Sequence, residues 1–215
     1  IVAKMTEFEA GKPMSSVVGR SFRTTPQAAA FADGISSHGM DYDLTYLMGQ
    51  STASLVPAIL PAAEHLNATA TDILAAYIVG FEVDSRIGRG FPQGGPSLGF
   101  HSTGTIGCIA AAAATARLWK VPQAQIPDVI GISVSMAAGV GANFGTMSKP
   151  LHAGHAARDG IVATVLGHGG FTGSHTAIEG PGGFYECFVR GQPWTIEPFK
   201  DLGHSYDLAD RGYKI

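Results

Sequence analysis

The run from Ile106 to Trp119, with five consecutive alanines at 110–114, constrains the fold more than any other segment. Alanine is the strongest helix former because its side chain loses no rotamer freedom on ordering. A helix apolar on nearly all faces has to be buried on most of them. The run is too short and too alanine-rich to cross a bilayer, so it predicts a central helix of a folded domain. Small side chains on such a helix let its neighbours approach closely, and those neighbours have to come from the rest of the chain.

They are legible as further helices. Thr24, Thr25 and Pro26 form a start signal for a helix over 26–37, which Gly39 ends. Leu55, Ile59, Leu60 and Ala63 give a helical stripe over 54–66, with Pro57 early enough to be tolerated and Asn67 closing it. Thr71 is the expected cap of a helix running to about Gly90. Residues 99–105 read as a loop before the central helix over 106–119. Two more helices are expected over 122–142 and 152–166. Beyond Gly167 the chain turns to glycine-rich loop. The predicted fold is all-α, with roughly six helices and no clear strand pair.

Composition excludes several classes of function. The formal net charge is −3 and no Lys/Arg cluster occurs, which argues against nucleic acid as a partner. Cys108 and Cys187 lie far apart without CxxC spacing, so neither a zinc site nor a disulfide framework is expected, and a reducing cytoplasmic location fits. No apolar run is long enough for a membrane span. Hydrophobic residues reach 45% against 14% charged, an imbalance that favours burial of surface in an oligomer. Ile1 and Ile215 both read as cut ends, so the chain is expected to be part of something longer.

The segment Gly145-Thr-Met-Ser-Lys-Pro-Leu-His-Ala-Gly-His-Ala-Ala157 places one lysine and two histidines among small residues. Pro150 is expected to hold Lys149 extended on a turn, aimed past a helix that begins near His152. Such a cation suits a carboxylated small molecule. His152 and His155 fall on one helical face, but with no third ligand in evidence they read as structural rather than metal-binding. Glu82 and Arg86, four apart on a helix, read as an i,i+4 ion pair.

Seven segments, in order, resemble the MmgE/PrpD family of 2-methylcitrate dehydratases and cis-aconitate decarboxylases. They are His38-Gly-Met-Asp-Tyr-Asp43, Leu55-Val-Pro-Ala58, Ala76-Tyr-Ile-Val-Gly-Phe-Glu-Val83, Gly99-Phe-His-Ser-Thr-Gly104, 144–157, Gly170-Phe-Thr-Gly173 and Glu179-Gly-Pro-Gly-Gly-Phe184. The resemblance implies a helical domain over 1–212, with 213–215 beginning a smaller α+β domain. It further implies a homodimer acting on small di- or tricarboxylates without metal or cofactor.

The same resemblance assigns roles. His101 becomes the residue that moves a proton, Lys149 the residue that holds a substrate carboxylate and stabilises developing charge, and Asp41 an orienting acid. Thr45, Gln50 and Lys214 join Lys149 as substrate-binding residues. Gln50 stands where the family usually has the histidine of a His-Pro-Ser turn, and Ser51 replaces the proline. Glutamine exchanges no proton near neutrality, so chemistry that depends on that histidine is in doubt. The resulting expectation is a lyase that dehydrates or decarboxylates a small polycarboxylate. The alternatives are an epimerase of the same family and a non-catalytic homologue retained as a dimerisation or ligand-binding scaffold.

Overall fold

The computed structural model describes residues 11–44, 49–92, 99–189 and 191–210. Six long helices form the body: α1 (Pro26–Ser37), α2 (Ser51–Leu66), α3 (Ala70–Gly90), α4 (Ser102–Leu118), α5 (Ile126–Met136) and α6 (Ser148–His168). Two short ones follow, α7 (Phe184–Val189) and α8 (Asp207–Asp210). One antiparallel pair, β1 (Ser15–Ser16) with β2 (Arg23–Thr24), corrects the expectation of no strand pairing. Its two-residue strands leave the architecture all-α.

Helix α4 is the central element foreseen from the alanine run. It packs against α2, α3, α5 and α6, and 15 of its residues from Ser102 to Leu118 are buried. Small-residue contacts set these distances: a Cβ on Gly160 of α6 would lie 2.5 Å from the Ala111 Cβ of α4. Around the alanines, Leu55, Ile59, Phe81 and Ile161 form the main core, each about 1% exposed or less apart from Ile161 at 2%. Each such side chain contributes roughly 1.5–3 kcal/mol by leaving water. Thr115 and Thr164 share a hydrogen bond of 2.7 Å between α4 and α6 inside this core, so their hydroxyls are satisfied where water cannot reach. A second cluster gathers Ile87, Phe91, Ile109, Phe184 and Tyr185 beneath the C-terminal loops.

Several boundaries differ from expectation, each for a local reason. The cap of α3 is Thr69 rather than Thr71: its hydroxyl accepts from the Asp72 backbone N–H at 3.2 Å, and the Asp72 carboxylate accepts from the Thr69 backbone in return. Helix α2 begins at Ser51, so Pro57 and also Pro61 lie inside it. Helix α4 starts at Ser102, because Ser102, Thr103 and Thr105 are buried within the helical turn instead of looping through solvent. Helix α5 stops at Met136, where Ala137 turns extended and Gly139 takes φ 130°. Residues 123–125 form a separate 3-10 turn before it.

Helix α6 begins at Ser148. Lys149 and Pro150 are therefore helical and do not form an extended turn. A first-turn N–H has no partner inside a helix, so the missing N–H of Pro150 costs little there.

Arg86 makes the expected pair with Glu82 and much more besides. It is fully buried and donates to Glu82, Asp201, the Pro198 carbonyl and the Ser205 carbonyl. Asp207 bonds Arg89 at 3.1 Å and also pairs with Ser85. One cation thus ties residues 198–207 to α3. Cys108 is buried as expected, and among the described residues no helix is long and apolar enough to cross a membrane.

Candidate functional site

Three long helices bring their N-terminal ends to one place. Gln50 is the N-cap of α2, His101 is the N-cap of α4, and Lys149 lies in the first turn of α6. None of these three ends carries a hydrogen bond from its own N-cap side chain. Unsatisfied N–H groups and aligned peptide dipoles leave each end with partial positive charge. Lys149 adds a full one.

Asp41 collects the cation and the amide. The Lys149 Nζ donates to both of its carboxylate oxygens at 2.6 Å, and Gln50 Nε2 donates to Oδ1 at 2.7 Å. Hydrogen bonds from Lys149 and then Gln50 hold the Asp41 carboxyl below the usual carboxylate range. Its backbone has φ 59°, a left-handed conformation that aspartate tolerates better than most residues. Asp41 is 54% exposed and Lys149 19%, so this is a half-open pair at the edge of a cleft. That cleft, of about 810 Å³, is lined by His38, Asp41, Thr146, Met147 and Lys149 among others.

A stack of buried imidazoles lies behind it. His38 caps the C-terminus of α1 and bonds Asp43 through Nδ1 at 2.8 Å. Its ring stacks on His101 with centroids 5.4 Å apart, and His101 meets the edge of Phe144 at 5.0 Å. His101 Nδ1 lies 3.1 Å from His152 Nδ1. Burial first, then the neighbouring His38, His152 and Lys149, push the His101 pKa down to about 3. His101 is therefore a neutral imidazole at pH 7. His152 is shifted down too, by burial and then by His155 and His38.

Beneath Gln50, Ser51 Oγ donates at 2.5 Å to Asp84 of α3. Asp84 is fully enclosed, and desolvation raises its pKa to about 6 despite that bond. The Gln50 backbone N–H reaches Thr103 Oγ1 at 3.3 Å, linking the starts of α2 and α4.

Of the residues expected at a site, Asp41, Gln50, His101 and Lys149 thus come together. His101 does not itself line the cleft; its ring stacks on His38, which does. Thr45 and Lys214 lie outside the described residues. His155 turns away to Asp159 at 2.8 Å and to the edge of Phe31, so it shares no ligand set with His152. Sequence reasoning missed the placement of His38, Asp84 and Phe144. His38 carried one signal, its position five residues before Asp43. Among the described residues one group could offer metal ligands, His38, Asp41 and Asp43, with ligand atoms within 4.8 Å of one another. Lys149 already supplies positive charge to Asp41 there.

A second cleft, of about 570 Å³, lies between α5 and the glycine-rich loop around Gly173. No charged side chain lines it, whereas the Lys149 cleft carries a cation beside three helix N-termini.

Known proteins resemble this arrangement's sequence throughout. Residues 1–197 match the family model described as the MmgE/PrpD N-terminal domain. Human cis-aconitate decarboxylase is 27% identical over 226 aligned positions, covering 100% of this chain and 46% of that protein. The mouse cis-aconitate decarboxylase is 30% identical, covering 99% of this chain and 45% of its own length. That of Aspergillus terreus is 31% identical over 186 positions, 81% of this chain and 38% of the relative. The chain therefore spans less than half the length of the curated relatives it matches. With its helical body and the family model matched over residues 1–197, the chain belongs to the MmgE/PrpD family.

Proposed function

We propose that this chain is the helical, carboxylate-binding part of a lyase that acts on a small tricarboxylate. The observation that carries the reading is the meeting of Lys149 with the N-terminal ends of α2, α4 and α6. Helix N-termini favour anions, and a lysine among them fixes one carboxylate by charge and hydrogen bonding. The relatives named above make decarboxylation of cis-aconitate the first reaction to test, ahead of dehydration.

In that reaction Lys149 holds a carboxylate that stays on the substrate and stabilises the negative charge spreading onto it as the neighbouring C–C bond breaks. The electron pair left on carbon takes a proton from neutral His101. Asp41 and Gln50 keep the Lys149 ammonium in place. Gln50 donates and accepts hydrogen bonds but moves no proton.

The test is turnover and binding with cis-aconitate, 2-methylcitrate and a racemisable dicarboxylate. Carbon dioxide release and proton NMR report reaction, and calorimetry reports binding. Lys149→Ala is expected to abolish both. A variant that binds and reacts like the parent would remove the assignment. Gln50 also supports a second reading, in which the chain binds carboxylates without reacting. Retained binding with complete inactivity on all three compounds would select it.

A further inference from the structure

His101 and His152 lie 51 residues apart, yet their Nδ1 atoms approach to 3.1 Å with both rings buried. Two ring nitrogens share a hydrogen bond only when one carries the proton and the other offers its lone pair. Two neutral imidazoles so joined are opposite tautomers, one protonated at Nδ1 and the other at Nε2. Among the described residues neither Nε2 has a hydrogen-bond partner, and neither counts among the buried unpartnered polar atoms, as His38 Nε2 does.

The geometry of the pair is held on several sides. A Cβ on Gly139 would sit 3.0 Å from His152 Cγ, and one on Gly104 would sit 3.1 Å from His152 Cβ. The His101 backbone N–H donates to the Gly139 carbonyl at 2.9 Å, so the same glycine that packs on one ring anchors the other residue.

We propose that His152 is the positioning residue of His101 and the outer half of a two-imidazole proton relay, running from His101 Nε2 on the reacting side to His152 Nε2 at solvent. This rests on the lyase reading given above. In the delivering direction, His101 Nε2–H gives its proton to the substrate carbon, whose electron pair comes from the bond to the departing carboxyl group. The proton on His152 Nδ1 moves to His101 Nδ1. Water protonates His152 Nε2. The sum is one carbon dioxide released and one proton drawn from solvent. After product leaves, exchange of both Nε2 positions with water and back-transfer across the Nδ1 pair restore the starting tautomers.

The relay answers a difficulty that the surroundings create. His38 at the end of α1 and Lys149 and His155 on α6 all disfavour positive charge on this pair, and Asp41 alone favours it on His101. A proton passed along two neutral rings never requires an imidazolium. His101 can then exchange protons at neutral pH although its cation is strongly disfavoured.

Nitrogen-15 NMR of the imidazoles tests the pairing without any turnover. Across pH 5–7 one Nδ1 of the pair should be protonated and the other not, with both rings neutral. Finding Nε2–H on both rings, or an imidazolium forming on either near the ordinary histidine value of about 6.5, would overturn the proposal. His152→Gln, checked by circular dichroism for the parent's helix content, keeps a hydrogen-bonding side chain but cannot pass a proton. It should lower kcat roughly 100-fold with little change in KM. It should also change the curved solvent-isotope proton inventory of the parent, with two protons in flight, to a linear one. An unchanged pH profile and inventory would refute the relay. If the parent turns over no carboxylate, the lyase reading fails separately, and the NMR result still decides the tautomer pairing.

Discussion

Gly34→Ala tests how closely the two helices that carry the site have to approach. Helices α1 and α6 cross where Gly34 faces Gly154, and a Cβ on Gly34 would lie 2.6 Å from the Gly154 Cα and 2.9 Å from its nitrogen. Carbon atoms pack at about 3.5–4.0 Å, so the helices have to separate by roughly 1 Å. The obstructing atoms are backbone, so no side-chain rotation relieves the clash. Overpacking of this kind costs about 1–3 kcal/mol. For a domain of this size each kcal/mol lowers Tm by roughly 2–4 °C, which gives an expected fall of about 2–12 °C. The site should register the same shift, because α1 leads into His38 and Asp41 while α6 carries Lys149 in its first turn. Thermal unfolding followed by circular dichroism measures the first effect, and calorimetry with citrate measures the second. A variant with the parent's Tm and carboxylate affinity would show that the crossing is looser than the backbone distances require, and the argument from close packing would fall.

Asp84→Asn should change how stability depends on pH. The folded carboxyl titrates at about 6 against an ordinary 3.8, so between those values the native state binds more protons than the unfolded chain. Stability from this group is therefore lost as pH rises from about 4 to 6; the asparagine variant should gain roughly 2–3 kcal/mol over the parent at pH 7.5 and nothing at pH 3.5, measured by urea unfolding. His101 acts in the opposite sense: its folded value of about 3 lies below the ordinary 6.5, so its contribution is present above pH 6.5 and lost as pH falls. His101→Gln should spare about 2 kcal/mol of the acid-induced loss at pH 5. Arg86→Met leaves Glu82 buried without its cation and Asp207 with Arg89 alone, and should destabilise by about 3–5 kcal/mol. Limited proteolysis should then cut first within residues 198–207. Asp41→Asn should bind citrate more tightly than the parent does, by calorimetry, while losing any turnover.

The sequence revealed the helices better than the contacts between them. The alanine run predicted a buried central helix because burial follows from composition alone, and Asn67 was read correctly as the end of α2. The start of α4 was misplaced because Ser102, Thr103 and Thr105 look like loop residues until tertiary packing buries them. Lys149 was expected at the candidate site but set on an extended turn, since a proline in a helical first turn and one in a loop read alike locally. Of the partners of Arg86 only Glu82 was foreseen, because Asp201 and Asp207 are more than 110 residues away in sequence. The His101–His152 contact was hidden for the same reason: either residue is bland by itself, and the chemistry resides in the pairing.

On the proposed function, the Lys149–Asp41 contact makes carboxylate binding an exchange of anions. The lysine already holds a carboxylate, one supplied by the chain itself and fixed by Gln50. An incoming ligand has to compete with this resident anion, so its measured affinity is the difference between two ion pairs. With Asp41 more than half exposed, the internal pair is weak enough to yield. A monocarboxylate offers little that Asp41 does not. On that reading a ligand with several carboxylates would also engage the helix ends that Asp41 leaves free, and selection for polycarboxylates would begin with the anion the site already contains.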